Sequence, residues 1–279
     1  MMDNSLRFSF GKNWRSFINK ALTPERINEA VGSLRTFFGA NNFENQTFLD
    51  VGCGSGLFSL AARKLGAKVH SFDVNRLCVA CANELKERYF PKDERWRIEQ
   101  GDVLDVEYLK SLGQFDLVYS WGVLHHTGAL WQALENVISM VAKGGKLYIS
   151  IYNDQGSASL RWAVLKKFYN QSSKPIKTWI VLMVGALWLI HSSLVRLMRF
   201  QNPLPFSEWA EKKKARGMSV WHDLVDWVGG YPFEVAKPEE IFDFYWKKGF
   251  ELLRLQTCGG KSGCNEYLFI RKQTVNEQR

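Results

Sequence analysis

The chain has 279 residues, of which 46% are hydrophobic and 23% are charged. These are ordinary values for a globular protein, so the chain can bury a sizeable core in one large domain with an insertion. Five cysteines, an odd number, in a sequence without a signal peptide favour a reducing compartment over a disulfide-stapled one. We therefore expect a cytoplasmic protein.

The formal net charge is +9, a balance typical of chains that meet an anionic partner such as nucleic acid or a membrane surface. The basic residues are nevertheless scattered, and their densest run is residues 212–216. We interpret this run as a solvated helix face, with a phosphate or lipid headgroup contact as the alternative. Nucleic acid is not expected as a partner.

Two cysteine pairs raise the question of a zinc site. Cys78 and Cys81 have C-x-x-C spacing, and Cys258 and Cys264 form a second pair. A four-thiolate zinc site needs all four to converge, whereas the first pair falls in a predicted helix, where small apolar residues pack on a sheet. We favour packing, and no metal is expected.

The stretch most informative about function is residues 47–57, TFLDVGCGSGL. A β-prone run ends in Asp50, and Gly52, Gly54 and Gly56 follow at every second position. The next residues are helix-like, which predicts a strand, a tight glycine turn and a helix, as in a nucleotide-binding βαβ unit. Glycine lets the backbone lie against a ligand, and the N–H groups at the helix start face it.

The spacing of these glycines separates two cofactor classes. A dinucleotide site uses G-x-G-x-x-G, and Leu57 stands where its third glycine would be. Residues 50–56, DVGCGSG, instead resemble the D-x-G-x-G-x-G loop of class I S-adenosylmethionine (SAM)-dependent methyltransferases. The resemblance implies that SAM is held by Asp50, Gly52, Cys53, Gly54 and Gly56.

Acids at the ends of later strands extend the resemblance. Asp73 ends a second predicted strand roughly 20 residues beyond the glycine loop, where such folds place a carboxylate on the ribose hydroxyls. Residues 101–105, GDVLD, match the family's G-D-x-x-D segment, which implies that Asp102 accepts from the adenine amino group. The remaining residues expected to bind the cofactor are Val74, Val103 and Trp121.

The order of these segments predicts the fold, and residues 143–152, KGGKLYISIY, supply the family's turn and fifth strand. We expect an α/β protein with a Rossmann-like, doubly wound seven-stranded sheet, mostly parallel with the last strand antiparallel, and a helical lid inserted after strand five. The expected parts are an N-terminal helical segment (1–45), the SAM-binding core (46–152), a helical insertion or lid (153–236), and a C-terminal helix with a closing hairpin (237–279).

The insertion contains an uninterrupted apolar run, residues 179–190. A membrane span needs about 18 to 20 apolar residues, so this run is more typical of a buried or interfacial helix. Basic residues flank it, as anchors on a membrane surface do: Lys174, Lys177, Arg196 and Arg199. A buried lid helix is our first interpretation, and a membrane-interface helix or a span are the alternatives, so membrane association through residues 179–199 stays open.

Candidate acceptor-site residues lie in the loop after strand four and in the insertion. His126 lies in the loop expected nearest the methyl group, His125 precedes it, and His222 shares a helix face with Asp226. These three histidines are the candidate general bases. The candidate substrate contacts are Trp14, Tyr152, Trp221, Asp226 and Tyr231. For Trp14 and for residues 221–227 the alternative is packing of a helix or lid.

Together these features predict methyl transfer from SAM to an oxygen, or to a nitrogen or carbon, of a small apolar or aromatic molecule, with S-adenosyl-L-homocysteine (SAH) as product. Residues 121–126, WGVLHH, are most similar to small-molecule methyltransferases of the ubiquinone type. A tRNA or protein methyltransferase, which the net charge favours, is one alternative. A non-catalytic SAM-binding interaction protein is another. The acceptor and the oligomeric state stay open.

Overall fold

A computed structural model describes residue 8 and residues 10–204 and 220–273, apart from the side chains of Val220 and His222. The described strands are β1 (Thr47–Val51), β2 (Lys68–Asp73), β3 (Trp96–Gln100), β4 (Phe115–Trp121), β5 (Val141–Tyr152), β6 (Phe250–Gln256) and β7 (Cys264–Arg271). They form a seven-stranded sheet of order β3-β2-β1-β4-β5-β7-β6. Strands β1 to β5 pair in parallel, and β7 runs antiparallel to β5 and β6. The predicted sheet is confirmed.

Helices cover both faces of this sheet. The described helices are α1 (Phe10–Lys20), α2 (Pro24–Phe38), α3 (Leu57–Lys64), α4 (Arg76–Tyr89), α5 (Val106–Leu112), α6 (Leu130–Ile138), α7 (Ser157–Gln171), α8 (Lys174–Met198), α9 (Val220–Gly229) and α10 (Pro238–Lys247). A short 3-10 turn, Leu124–His126, follows β4. Helix α5 has no counterpart in the elements expected from the sequence.

The central strands are buried on both faces, which explains their continuous apolar sequence. Successive side chains of β1 point to opposite sides, so Phe48 packs in one core cluster and Leu49 in the other. Phe48 and Leu49 are both 0% exposed. A rigid sheet therefore fixes the carboxyl ends of β1, β2 and β4 at one edge, where strand order reverses between β1 and β4 and such folds bind ligands.

The predicted helical lid follows β5 and consists of α7, α8 and α9 in the described part of the chain. These helices form a small core of their own around Tyr169, Ile180, Val184 and Val228. Helix α8 is 25 residues long, and only 17% of its most apolar window is buried. The buried-lid interpretation therefore fails for most of α8, because only one narrow edge of the helix packs on the protein.

Candidate functional site

The glycine loop after β1 lies against the end of β2. The backbone N–H groups of Gly52 and Cys53 both donate to the carbonyl of Phe72, at 2.9 and 3.0 Å. Gly54 has a left-handed φ of +54°, and a Cβ added there would lie 3.0 Å from the indole nitrogen of Trp14. A side chain at this position is therefore disfavoured by both the backbone and the space. Helix α1 packs over the loop, and Trp14 both lines the cavity and packs against the core, so its role as a substrate contact stays a prediction.

Two buried carboxylates lie beside this loop. Asp73 accepts from the N–H of Gly54 at 3.0 Å and from the N–H of Asn75 at 2.8 Å, so the protein orients both of its oxygens. Asp50 accepts from the Ser59 hydroxyl. Burial, together with the negative charge of Asp73, raises the pKa of Asp50 to about 7. The site thus places two buried carboxyl groups, one of them oriented by two backbone N–H groups, where the sequence predicted the cofactor.

The loop after β3 forms the next wall. Asp102 accepts from the N–H of Leu104 at 2.9 Å, and Asn136 of α6 donates to the carbonyl of Val103 at 2.9 Å. These bonds hold Asp102 and Val103 at the cavity surface, beside the half-exposed Val74. Asp102, Val103 and Val74, three of the positions predicted to bind the cofactor, thus line one cavity.

His126 is fixed by the chain segment that returns from the insertion. Its Nδ1 lies 2.6 Å from the carbonyl oxygen of Pro232. A carbonyl can only accept, so Nδ1 carries the proton and Nε2 is the acceptor nitrogen of the neutral ring. The ring lies in the cavity wall, 5.1 Å from the ring of Phe10 and 5.4 Å from that of Tyr152. His126 therefore has the tautomer that a general base needs.

His125 has a different environment. It is 0% exposed, does not line the cavity, and stacks 4.0 Å from Tyr152. Burial, and the positive charge of neighbouring Lys166, lower its pKa well below the usual range. His125 supports the wall behind Tyr152, and the structure does not bring it to the site as a base.

The sequence did not single out Glu266 of β7, which is 5% exposed and lines the cavity. Trp121 donates its indole N–H to Glu266 at 3.0 Å, and the Tyr148 hydroxyl donates to it at 2.9 Å. An acid directly before the apolar run of β7, residues 267–270, is the signal that could have found it. Trp121 is thus oriented by a carboxylate from the far end of the chain.

The insertion supplies the opposite wall through Trp188 and His191 of α8 and Asp223, Asp226 and Trp227 of α9. Asn13 of α1 donates to Asp226 at 2.8 Å, so the N-terminal helix and the insertion meet across the cavity. Burial raises the pKa of Asp226 to about 8. The predicted contacts Trp14, Tyr152 and Asp226 are therefore brought together at one site.

A buried lysine stands behind this wall. Lys166 of α7 is 0% exposed and donates to the carbonyl of Trp227. Its ammonium lies 4.8 Å from the ring centre of Trp227 and 4.7 Å from that of Phe233. Burial lowers its pKa to about 7. Lys166 packs inside an aromatic cage and does not line the cavity.

Other predicted residues lie away from the cavity wall. Trp221 is 48% exposed on the outside of α9, and Tyr231 does not line the cavity. A Cβ on Gly56 would lie 2.8 Å from Ala82, so this glycine permits close packing of α3 on α4. The side chain of His222 lies outside the described part of the structure, so the pairing of His222 with Asp226 stays a prediction. Residues 212–216 also lie outside it, so their interpretation stays a prediction as well.

The whole cavity has a volume of about 1010 Å³. Among the described residues that line it, six carry carboxyl groups and one is a lysine, Lys261. The carboxylates are Asp50, Asp73, Asp102, Asp223, Asp226 and Glu266. A chain with a net charge of +9 thus encloses an acidic cavity. Within residues 10–204 and 220–273, His, Cys, Asp and Glu side chains form no group of three or more that could hold a metal ion.

The glycine loop, the carboxylates and the sheet order define a nucleotide-binding α/β protein of the methyltransferase type. The family profile described as a methyltransferase domain matches residues 24–198, more than half of the chain. The chain belongs to this family.

Solved structures share the fold over most of the chain. The magnesium protoporphyrin IX methyltransferase of Synechocystis, crystallised with bound SAH, superposes with a TM-score of 0.55 at 15% identity, covering 94% of each chain. A SAM-dependent methyltransferase from Anabaena variabilis superposes with a TM-score of 0.51 at 13% identity, covering 94% of this chain and 93% of its own. At these identities the likeness shows the fold.

Curated relatives match a shorter part of the sequence. The tRNA U34 carboxymethyltransferase of Actinobacillus pleuropneumoniae is 30% identical over 45% of this chain and 40% of its own length. An uncharacterised protein of Synechococcus is 34% identical over 40% of this chain and 27% of its own length. The chain thus covers less than half the length of these relatives.

Proposed function

We propose that the protein transfers a methyl group from SAM to a small molecule. The observation that carries this proposal is the acidic cavity: six carboxyl groups of the described residues line it, and four remain when Asp50 and Asp226, whose pKa burial raises, are left out. Negative charge attracts a cationic cofactor and repels the pyrophosphate of a dinucleotide. SAM carries a positive sulfonium and an ammonium, so its charge suits this cavity.

The residues present fit SAM. The absence of a Cβ on Gly54 lets Trp14 pack directly on the loop, and Asp73 presents a carboxylate fixed by two backbone N–H groups. A carboxylate has about four lone-pair positions, so Asp73 can accept hydroxyl protons as well. Asp50 and the loop would hold the methionine end, and Asp102 with Val103 the adenine. The solved relative with bound SAH shows that this fold accommodates the product.

When bound, SAM supplies an electrophilic methyl group. The protein's own contribution is to position the acceptor and to take up its proton. Nε2 of His126 is the acceptor nitrogen in the cavity wall, because Pro232 holds the proton on Nδ1. His126 is therefore the proposed general base for an acceptor oxygen or nitrogen.

The acceptor we propose is apolar or aromatic, because aromatic rings surround the inner wall beside His126. They belong to Phe10, Tyr152, Trp188 and Trp227. The porphyrin substrate of the Synechocystis enzyme is a molecule of this kind. The tRNA-modifying relative supports a second candidate, a tRNA methyl acceptor. We favour the small molecule because the acidic wall opposes the phosphates of RNA.

The experiment that tests this function incubates the purified full chain with methyl-labelled SAM and a cell extract. Label is then sorted into lipid-soluble, small polar and precipitable fractions. The control is Asp73→Ala, which removes a carboxylate of the cofactor site. Label in either small-molecule fraction, absent with the variant, supports the proposal. Precipitable label would favour tRNA or protein instead. Bound SAM without any labelled product would favour a non-catalytic binding protein.

We place the protein in the cytoplasm, with peripheral membrane contact through residues 179–199. The support is the exposure of large apolar side chains along α8, including Trp179, Leu182 and Ile190. Fractionation of cells should find the protein in both the soluble and the membrane fractions.

A further inference from the structure

Helix α8 presents an apolar surface too large for a solvent-exposed face. Within the described residues it is the one helix long and apolar enough to cross a membrane. Leu182 is 56% exposed, Leu187 57%, Ile190 55% and Leu194 56%. The neighbouring helix α7 adds Leu160, Val164 and Phe168. Soluble monomers rarely expose contiguous apolar patches beyond a few hundred Å², so this surface needs an occupant.

The charge around this apolar surface indicates which partner covers it. Residues 157–204 contain no Asp or Glu. Their basic residues are Arg161, Lys166, Lys167, Lys174, Lys177, Arg196 and Arg199, and of these Lys166 is buried. A second copy of the chain would oppose two acid-free basic surfaces, which repel each other. An anionic phospholipid surface complements both the apolar face and its basic rim.

The packing of α8 decides between lying on a bilayer and crossing it. Ile180 and Val181, in the first half of the helix, and Val184, near its middle, are buried against the domain, and Gly185 approaches Leu224 of α9. A spanning helix would place this midpoint in the bilayer centre together with the folded domain attached to it. With its middle packed on the protein and basic residues near both ends, α8 can lie flat at the interface.

The inner edge of the same helix forms part of the cavity wall through Trp188 and His191. Trp188 packs 6.0 Å from the ring of Trp227, which also lines the cavity. One helix therefore faces the cavity on one side and carries the apolar surface on the other. We infer that α8 docks on an anionic bilayer and that the methyl acceptor is a membrane-resident amphiphile that reaches the cavity beside Trp188 and His191.

This inference rests on the proposed function, and the experiment separates the two. The full chain is sedimented with vesicles of phosphatidylcholine and phosphatidylglycerol in equal parts, and with phosphatidylcholine alone. The test variant is Leu182→Glu/Ile190→Glu, on the exposed face of α8. The matched control is Leu253→Glu/Leu255→Glu, at 46% and 44% exposed positions of β6. SAM binding is measured for all three proteins.

We expect the wild type and the control to sediment with the anionic vesicles, and the α8 variant to bind roughly tenfold or more weakly, with unchanged SAM affinity. Wild type that stays in the supernatant while it binds SAM would overturn the membrane inference alone. Equal binding to the neutral vesicles would overturn the anionic assignment. A dimer that the α8 variant converts to a monomer would assign the surface to a second copy. Failure to bind SAM would instead overturn the proposed function.

The acceptor class is tested with the cell's lipid extract incorporated into the anionic vesicles, with methyl-labelled SAM. The α8 variant should lose most lipid labelling, whereas the control keeps it. The same extract dispersed in detergent should restore labelling by the α8 variant, because docking is then no longer needed. Equal labelling of vesicles by all three proteins, or labelling confined to water-soluble molecules, would overturn the bilayer route.

Discussion

His126 combines a fixed tautomer with a place in the cavity wall, and these two features make it the residue on which catalysis should depend most. We expect His126→Asn to lower kcat by about 10²- to 10⁴-fold, the usual contribution of a general base, with little change in SAM affinity. The measurement is single-turnover methyl transfer beside SAM titration. His70→Asn is the matched control, because His70 pairs with Glu99 and does not line the cavity.

A pH profile distinguishes a base from a packing residue. The wild-type rate should rise with pH as the histidine loses its proton, and His126→Asn should abolish that rise. If His126→Asn keeps wild-type turnover, the other candidate base, His222, has to be tested by a double variant. Intact turnover in His126→Asn/His222→Asn would exclude general-base catalysis by these residues.

Asp73 is the carboxylate most completely oriented by the protein, through Gly54 and Asn75. Asparagine offers one acceptor oxygen where the carboxylate offers two, and it carries no charge. We expect Asp73→Asn to weaken SAM binding by roughly 10- to 100-fold, the value of a charged hydrogen bond. Isothermal titration measures this.

The control for Asp73 is Asp105→Asn, since Asp105 also accepts a backbone N–H, from Tyr108 at the start of α5, but lies outside the cavity. Asparagine caps helices as well as aspartate does, so this variant should bind SAM normally. Equal loss in both variants would point to a general effect on folding.

At the scale of single residues, the sequence predicted the positions that follow strands. Asp50, Asp73 and Asp102 can be located because a parallel sheet gathers the ends of its strands at one edge. Glu266 and Lys166 could not be located in this way. Their roles depend on residues that lie far away in the sequence, such as Trp121 and Trp227. The spacing of residues along one strand or helix does not predict contacts with residues that are distant in the sequence.

At the scale of elements, the segment after α9 holds the loop that carries His126. Glu234 accepts from the N–H of Gly128 at 2.9 Å and of Leu130 at 3.0 Å, at the start of α6. Its own N–H donates to the carbonyl of His125 at 3.0 Å. The return from the insertion thus fixes the acceptor loop, although about a hundred residues separate the two along the chain.

Glutamine at position 234 can accept only through its single carbonyl oxygen, so one of these two N–H groups loses its partner. We expect Glu234→Gln to lower the free energy of unfolding by about 1–3 kcal/mol and to lower kcat more than SAM affinity. Glu240→Gln is the matched control, since the exposed Glu240 accepts from Lys237 N–H in a capping box and should cost less than about 0.5 kcal/mol. If urea unfolding shows the same loss of unfolding free energy for Glu234→Gln and Glu240→Gln, Glu234 does not hold the loop as described.

The strands of the sheet were easier to predict from the sequence than the positions of helices α1 and α8. The alternation of strands and helices is encoded locally, so the five parallel strands were predictable from residues 47–152. The exposure of α8 was not, because an apolar run of residues 179–190 reads the same whether it faces a core, a bilayer or a second chain. The position of α1 was undecided for the same reason, since only the structure shows Trp14 over Gly54.

At the scale of the whole molecule, charge is divided between the surface and the cavity. The basic excess lies outside, including the acid-free rim of α7 and α8, while carboxylates face the ligand. A single net charge therefore misleads: +9 suggested an anionic partner, and the cavity suits a cationic one. The basic outer surface supports the proposed contact with an anionic bilayer, and the acidic cavity supports the binding of SAM.

The two sides of the cavity are joined by the hydrogen bond from Asn13 to Asp226, which links residues 213 positions apart. Burial raises the pKa of Asp226 to about 8, well above the value of about 3.9 in an unfolded chain. Between these two values the folded state binds more protons than the unfolded state. The contribution of Asp226 to stability is therefore full at low pH and falls as the pH rises to about 8.

Asp226→Asn should remove this slope while keeping an acceptor for Asn13. Relative to wild type, the variant should gain stability progressively from about pH 4 to pH 8 and hold a constant gain above it. Lys166, whose pKa burial lowers to about 7, acts in the opposite sense above that pH, and the charge of an ionised Asp226 raises the pKa of Lys166. The comparison therefore isolates Asp226 below pH 7, where Asp226 is protonated in the fold. Urea midpoints measured across this range test the prediction, with Asp243→Asn, at an exposed carboxyl of α10 away from the cavity, as control. Parallel curves for wild type and Asp226→Asn would show that Asp226 is ionised in the fold at neutral pH, and that the α1–α9 bridge is a charged hydrogen bond.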